Sequence, residues 1–328
     1  MRELAITSLR SGGVITNLYC SSACKHCLYA SSPKWNKDYI SPGMAETIIN
    51  KILDLGCTFI HIGGGEPMLN LSGLKQFLQI ASAMKLGIEY IETNSSWYKD
   101  EDSAVRVLQD LQGLDVDTLL ISISPFHNEY IPFHKVKGLM KACHAGNMGV
   151  FPWISDFIQD IEGFSDVSPH SLAEYEASYG DDYLKNVAER FPLNFRGRAL
   201  LTYKDIYPKR SVDEILAEGK RGCGELANTS HFHIDLFGNY IPGLCSGLSI
   251  HVEDLGGPLE FDKYRFLLTL YNQGIAGLLE IAQQEYGFQP EEQYLSKCHL
   301  CFAIRRFLVM DKKVRSDDLK PVPYYRWV

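Results

Sequence analysis

The chain has 328 residues, 45% of them hydrophobic and 22% charged, with a net charge of −8. This is the composition of a globular protein with a sizeable core, and its scattered charges leave no basic stripe for nucleic acid. The opening MRELAITSLRSGG lacks the apolar segment of a secretion signal and no apolar run is long enough to span a bilayer, so the expectation is a cytoplasmic protein without a membrane partner.

Taken in chain order, residues 13–19 read as a strand, followed at once by a loop with Cys20, Cys24 and Cys27. A helix is expected over residues 42–55. Ser41 is its N-cap, Pro42 its first position, and Ala45, Ile48, Ile49 and Ile52 its apolar face. Residues 57–62 form an apolar strand that ends in Gly63-Gly64-Gly65. Leu74, Phe77, Leu78 and Ala81 have helical spacing, and residues 88–93 read as a strand. Two further helix–strand alternations follow, with strands at 118–124 and 149–155. A helix is expected within 171–190 and a sixth strand at 193–201. Strands alternating with helices imply parallel pairing. The fold class is therefore α/β, a partial (β/α)6 TIM-type barrel with its functional loops at the C-terminal ends of the strands.

After about residue 205 the alternation stops. Residues 231–244 read as a β-hairpin around Phe237-Gly238-Asn239, with helices near 263–272 and 274–284, Cys298-His299-Leu300-Cys301, and an aromatic tail. Two domains are expected: 1–205 as the partial barrel, and 206–328 as a small cysteine-rich domain of a hairpin plus helices.

Nine cysteines in a chain of this size do not require disulfides, and seven of them fall into two sets. Cys20-x3-Cys24-x2-Cys27 places three soft ligands in eight residues. Three is one short of the four that a four-iron cluster takes, which leaves one iron open. On spacing alone, zinc with His26 or His61 as fourth ligand is the alternative. The Gly64-Gly65-Glu66-Pro67 turn lets a ligand approach the backbone, and Glu66 can accept hydrogen bonds from an amine. Cys223, Cys245, Cys298 and Cys301 form the second set, fit for a closed zinc site or a fully ligated cluster. Cys57 and Cys143 read as core thiols.

The CxxxCxxC loop after a first strand and GGGEP after a second resemble the radical SAM superfamily over about residues 13–200. The resemblance implies a [4Fe–4S] cluster on Cys20, Cys24 and Cys27. It implies S-adenosyl-L-methionine on the open iron, and a 5′-deoxyadenosyl radical that abstracts a substrate hydrogen. Gly64, Gly65 and Glu66 then match the turn that holds the methionine amino group, and His26 lies near the adenine. Thr93, Asn94, Ser122 and Ser124 match strand-end positions that contact the methionine carboxylate and ribose. Arg198 is placed to pair with a carboxylate. The C-terminal cysteines resemble the SPASM/twitch extension, and four of them imply one auxiliary [4Fe–4S] cluster. An electron donor such as flavodoxin or ferredoxin is implied as partner.

The loop after the fourth strand offers His127, Glu129 and Tyr130 as substrate contacts, and Asp156 follows the fifth strand. The layout also resembles peptide epimerases of the superfamily, but Ser246 stands where their second hairpin thiol would be. Only about a dozen residues precede the first strand, too few for an appended leader-binding domain. The reaction expected is oxidation or rearrangement of a peptide. Dehydrogenation of a small metabolite is one alternative, and a non-catalytic zinc or iron–sulfur protein is another. No catalytic side chain is singled out.

Overall fold

The computed structural model describes residues 2–191, 193–219 and 222–328. Strand β1 is Gly12–Ile15, helix α1 Pro42–Asp54, β2 Phe59–Gly63, α2 Leu71–Ala83, β3 Gly87–Thr93 and α3 Glu101–Gln112. Then come β4 Thr118–Ile121, the single turn α4 Pro125–Asn128, α5 Phe133–Ala145 and β5 Gly149–Pro152. Helices α6 Phe157–Glu162, α7 Leu172–Tyr179, α8 Tyr183–Arg190 and α9 Gly197–Tyr203 lead to β6 Arg210–Ser211 and α10 Val212–Glu218. The C-terminal part holds β7 Phe232–Asp235, β8 Asn239–Tyr240, β9 Ile250–His251, α11 Arg265–Tyr286, β10 Gln293–Tyr294, α12 Lys297–Arg306 and α13 Tyr324–Trp327.

The main sheet runs β5-β4-β3-β2-β1-β7-β8-β9. Its first six strands are parallel, and β8 and β9 add antiparallel pairs. Side chains alternate across a strand, so each face has its own character. One face carries Val14, Ile60, Ile62, Ile91, Leu119 and Ile121, all fully buried. The other presents Ile15, Tyr90, Glu92, Leu120, Phe151 and His233 to a cavity of about 580 Å³. A bulge in the β2–β3 pairing, between Ile60 and Ile62, keeps Tyr90 and Glu92 on the cavity face.

The α1 reading holds in detail. Ser41 accepts a hydrogen bond from the Met44 amide, Pro42 opens the helix, and Ala45, Ile48, Ile49 and Ile52 are buried. Two elements differ from expectation. Residues 193–201 are not a strand: α9 begins at Gly197, whose φ is +56°. A Cβ at Gly197 would lie 2.5 Å from the carbonyl oxygens of both Cys27 and Leu28, so α9 starts against the cysteine loop. The sixth parallel strand is β7, drawn from the C-terminal hairpin onto the opposite edge of the sheet beside β1. Residues 206–328 therefore contribute strands to the main sheet. The helices expected near 263–272 and 274–284 are both present within α11, separated at Gly274, whose φ of +70° and ψ of −158° are not helical. Among the described residues, no helix is long and apolar enough to cross a membrane.

Candidate functional site: two thiol sets and a histidine cluster

The cysteine loop is pinned before it reaches its first thiol. The Gly65 amide donates to the Asn17 carbonyl at 2.8 Å and the Glu66 amide to the Tyr19 carbonyl at 3.0 Å. The Asn17 side chain donates back to the Glu66 carbonyl at 3.1 Å. A Cβ on Gly65 would sit 2.1 Å from the Tyr19 oxygen, and one on Gly64 2.4 Å from Asn17 Oδ1. The glycines are required first for this contact between two stretches of chain. Both also line the cavity, with Cys20, Cys24 and Cys27.

Glu66 is engaged inside the protein. Its side chain is fully buried. The carboxylate accepts from the Met68 amide (3.2 Å), Thr93 Oγ1 (2.9 Å) and the Asn94 amide (2.6 Å). It ties the turn to the end of β3, and of the turn's residues it is Gly64 and Gly65, not Glu66, that line the cavity. Burial pushes the carboxyl up to about 7, against the pull of those hydrogen bonds. Asn94 continues the network, with Nδ2 3.4 Å from Cys20 Sγ.

Arg198 also has partners other than the expected carboxylate. Nε donates to the Cys24 carbonyl at 2.8 Å and Nη2 to the Ser31 carbonyl at 2.6 Å, while its amide donates to the Cys27 carbonyl at 3.0 Å. It clamps both sides of the cysteine loop. Burial, helped by the negative charge of Glu66, pushes the Cys20 thiol up to about 12, and burial raises Cys24 as well. Such thiols give up their protons only to a cation that replaces them.

His26 stacks on Phe126 at 4.7 Å between ring centroids and meets His127 and Phe191 edge-on. Its Nδ1 is buried without a partner, as is the Ser31 hydroxyl, and both residues line the cavity. Thr93, Asn94, Ser122, His127 and Arg198 line it too. Ser124 is spent as the cap of α4, 2.7 Å from His127 Nδ1. Glu129 pairs with Lys25 at 3.3 Å, and Tyr130 donates to the Ala23 carbonyl at 3.2 Å. Asp156 is exposed at the start of α6. These last four do not line the cavity, and Ser124, Glu129 and Tyr130 serve local structure.

The second thiol set converges. Cys223, Cys245, Cys298 and Cys301 line a separate cavity of about 460 Å³. They come from three segments: the chain before β7, the turn after β8, and the first two turns of α12. Two arginines face them. Arg196 is raised above its ordinary value by the neighbouring Cys245 and Cys298, against the opposing effect of burial, and it donates to the Gly243 carbonyl. Arg305 is buried and donates to the Ser246 carbonyl at 3.0 Å and to Tyr325. Sequence reasoning passed over both arginines. Cys57 and Cys143 are buried in the core.

Among the described residues, three metal-capable side chains bring ligand atoms within 4.8 Å of one another at one place, His61, His231 and His233. His61 had been weighed only as a fourth ligand beside the thiols. Its true neighbours were signalled by His231-Phe232-His233, whose spacing of two puts both imidazoles on one strand face.

Residues 14–145 match the family model of the radical SAM superfamily. YydG of Bacillus subtilis, by name a peptide biosynthesis protein, is 26% identical over 184 residues, 55% of this chain and 53% of that protein. The mycofactocin maturase MftC of Mycolicibacterium smegmatis is 24% identical over 245 residues, 70% of this chain and 56% of that protein. The chain thus spans about half the length of the curated relatives it matches. The crystal structure of BtrN in complex with AdoMet and 2-DOIA aligns with a TM-score of 0.45 at 17% identity, over 90% of this chain and 98% of that one. With three cavity-lining thiols between β1 and α1 and a glycine turn after β2, the chain carries a radical SAM domain over residues 14–145.

Proposed function

We propose that this chain is a radical SAM enzyme that abstracts hydrogen from a carbon atom of a peptide. The observation that carries the reading is the 580 Å³ cavity, where three thiols, a glycine-turn backbone and a histidine–aromatic slot meet at the C-terminal ends of parallel strands.

The residues present fit the implied cofactors. Cys20, Cys24 and Cys27 supply three soft ligands, and the orphaned His26 Nδ1 and Ser31 hydroxyl await polar partners in the same cavity. In this reading the thiols hold a [4Fe–4S] cluster. The Gly64–Gly65 backbone receives the methionine amino group of S-adenosylmethionine, Thr93, Asn94 and Ser122 lie along its carboxylate and ribose, and His26 lies against its adenine. Bound together, cluster and S-adenosylmethionine supply one-electron carbon–sulfur cleavage and hydrogen abstraction from carbon. The protein's own work is to orient and exclude. Arg198 fixes the loop, Glu66 fixes the turn to β3, and Phe191, in the cavity wall against His26, keeps water from the reacting atoms. His127 contacts substrate or cofactor at the same mouth.

Cys223, Cys245, Cys298 and Cys301 hold an auxiliary [4Fe–4S] cluster in the C-terminal unit, 206–328. Arg196 and Arg305 would flank it, and the one-electron redox chemistry such a cluster supplies would allow the net reaction to be an oxidation. A peptide is favoured because one curated relative is named for peptide biosynthesis and the other as a maturase. Exposed Phe151 and Trp153 at the cavity offer an apolar rim for such a chain. A flavodoxin- or ferredoxin-type donor in the cytoplasm supplies the starting electron.

The test is 5′-deoxyadenosine production. Protein reconstituted without oxygen is given S-adenosylmethionine and a strong reductant and assayed by mass spectrometry. Product from wild type but not from Cys24→Ala is the expected result. Equal product from both would sink the reading.

A further inference from the structure

We propose that His61, His231 and His233 form a mononuclear metal site for a divalent first-row ion of the zinc type, set in the wall of the same cavity as the Cys20–Cys24–Cys27 loop and open to substrate at its fourth position. The site lies outside both thiol sets, and it does not depend on the radical reading.

The argument begins with register. Gly13 of β1 is paired with His61 of β2 on one side and with His233 of β7 on the other. The three residues therefore form one row across the sheet, with side chains on one face. The central position has no side chain. A Cβ at Gly13 would lie 2.3 Å from His61 Nε2. The two flanking imidazoles lean together over that gap, and their Nε2 atoms are 2.9 Å apart. His231, two residues before His233, shares its face, and its ring lies parallel to that of His61 with centroids 5.3 Å apart.

Two nitrogens at 2.9 Å share one proton in a hydrogen bond. Tetrahedral zinc with bonds of ~2.0–2.1 Å separates its nitrogens by roughly 3.3 Å. A few tenths of an ångström of ring movement converts one arrangement into the other for this pair, and His231 offers a ring nitrogen within 4.8 Å of both. The surroundings match what metal-bound histidines require. A ligating imidazole gives its second N–H to a partner that fixes its orientation. His233 Nδ1 is hydrogen-bonded to the Tyr29 hydroxyl, and His231 Nδ1 is 3.4 Å from the Ser11 hydroxyl. Glu92 Oε1 lies 3.7 Å from His61 Nε2 and supplies the negative charge that a divalent ion needs nearby.

Three neutral imidazoles suit zinc, and three protein ligands are the count of a catalytic rather than a structural zinc site. His231, His233, Glu92 and Tyr29 line the cavity. An ion held there faces the space that receives substrate, and it acts by anchoring or polarising a substrate carbonyl or carboxylate.

The test counts metal. Protein with its thiol sites fully loaded with iron and sulfide is dialysed anaerobically against zinc sulfate, freed of loose metal on a chelating resin, and measured by mass spectrometry of the elements and by zinc-edge X-ray absorption. The expected result is one zinc per chain with nitrogen and oxygen ligands only. That zinc should be lost from His231→Gln and from His61→Gln, with iron content unchanged. No retained zinc in the wild type overturns the proposal, as does zinc with sulfur ligands or zinc unchanged in both variants. The wild-type measurement decides even if a variant does not fold. It is read without S-adenosylmethionine cleavage, so its failure and that of the radical reading are distinct.

Discussion

Arg198 donates from Nε to the carbonyl of Cys24 at 2.8 Å, across 174 residues of chain. With its second bond, to the Ser31 carbonyl, the guanidinium holds the loop at two points. Arg198→Ala leaves both carbonyls without this donor. The expected loss is about 1–3 kcal/mol of stability, together with weaker retention of iron by the first thiol set. Chemical denaturation and iron counts after anaerobic gel filtration measure the two effects. Lysine at 198 should rescue only in part, because one ammonium does not reproduce the planar fork. Wild-type values in Arg198→Ala would show that the clamp is idle.

Gly65 and Gly43 should respond oppositely to alanine. At 65 the new Cβ would meet the Tyr19 carbonyl, a backbone atom that cannot swing aside. Gly65→Ala is expected to cost on the order of 3 kcal/mol and to disturb the first cluster. At Gly43, inside α1, nothing lies within 4 Å. Gly43→Ala should gain about 0.5–1 kcal/mol from helix propensity. Thermal unfolding of the pair checks both signs.

Glu92 gives a pH dependence in metal-free protein. Burial, aided by the charge of Glu66, raises its carboxyl from an ordinary value near 4.5 to about 7. Between those values the folded state keeps a proton that the unfolded state releases, so stability falls as pH rises through the window and levels off above about 7. Glu92→Gln removes this effect. The variant should match wild type at pH 4.5 and exceed it by on the order of 1–2 kcal/mol at pH 8. Equal slopes for the two proteins in urea titrations across pH would refute it.

Cys298→Ala should separate the two thiol sets. Loss of one of four ligands in the 460 Å³ cavity is expected to remove half of the bound iron while 5′-deoxyadenosine formation persists. Substrate turnover should fall. Iron content with product analysis is the check, and abolished cofactor cleavage at normal folding would show that the sets are not independent.

Local sequence was sufficient wherever a segment's own period and caps decide its state. Ser41-Pro42 with the apolar stripe of α1 is the clearest case, and the strand-then-glycine pattern ending at Gly65 is another. It failed at residues 193–201, where a short apolar stretch fits strand or helix equally well, and contact of Gly197 with the cysteine loop decides for helix. For Glu66 and Arg198 the residue types were legible as polar and cavity-directed. Their partners were not, because hydrogen bonds to Asn94, Cys24 and Ser31 depend on how distant elements dock.

The sequence by itself determined the first three thiols, the turn that faces them, the alternating α/β order and the existence of a second thiol set, since each is written in spacing along the chain. Only the tertiary structure decided that β7 closes onto β1, that the second thiol set lines a cavity of its own with Arg196 and Arg305, and that His61 and His233 meet over Gly13. The physical reason is that parallel pairing joins strands far apart in sequence, and its register is set by the packing of the whole sheet rather than by any local pattern.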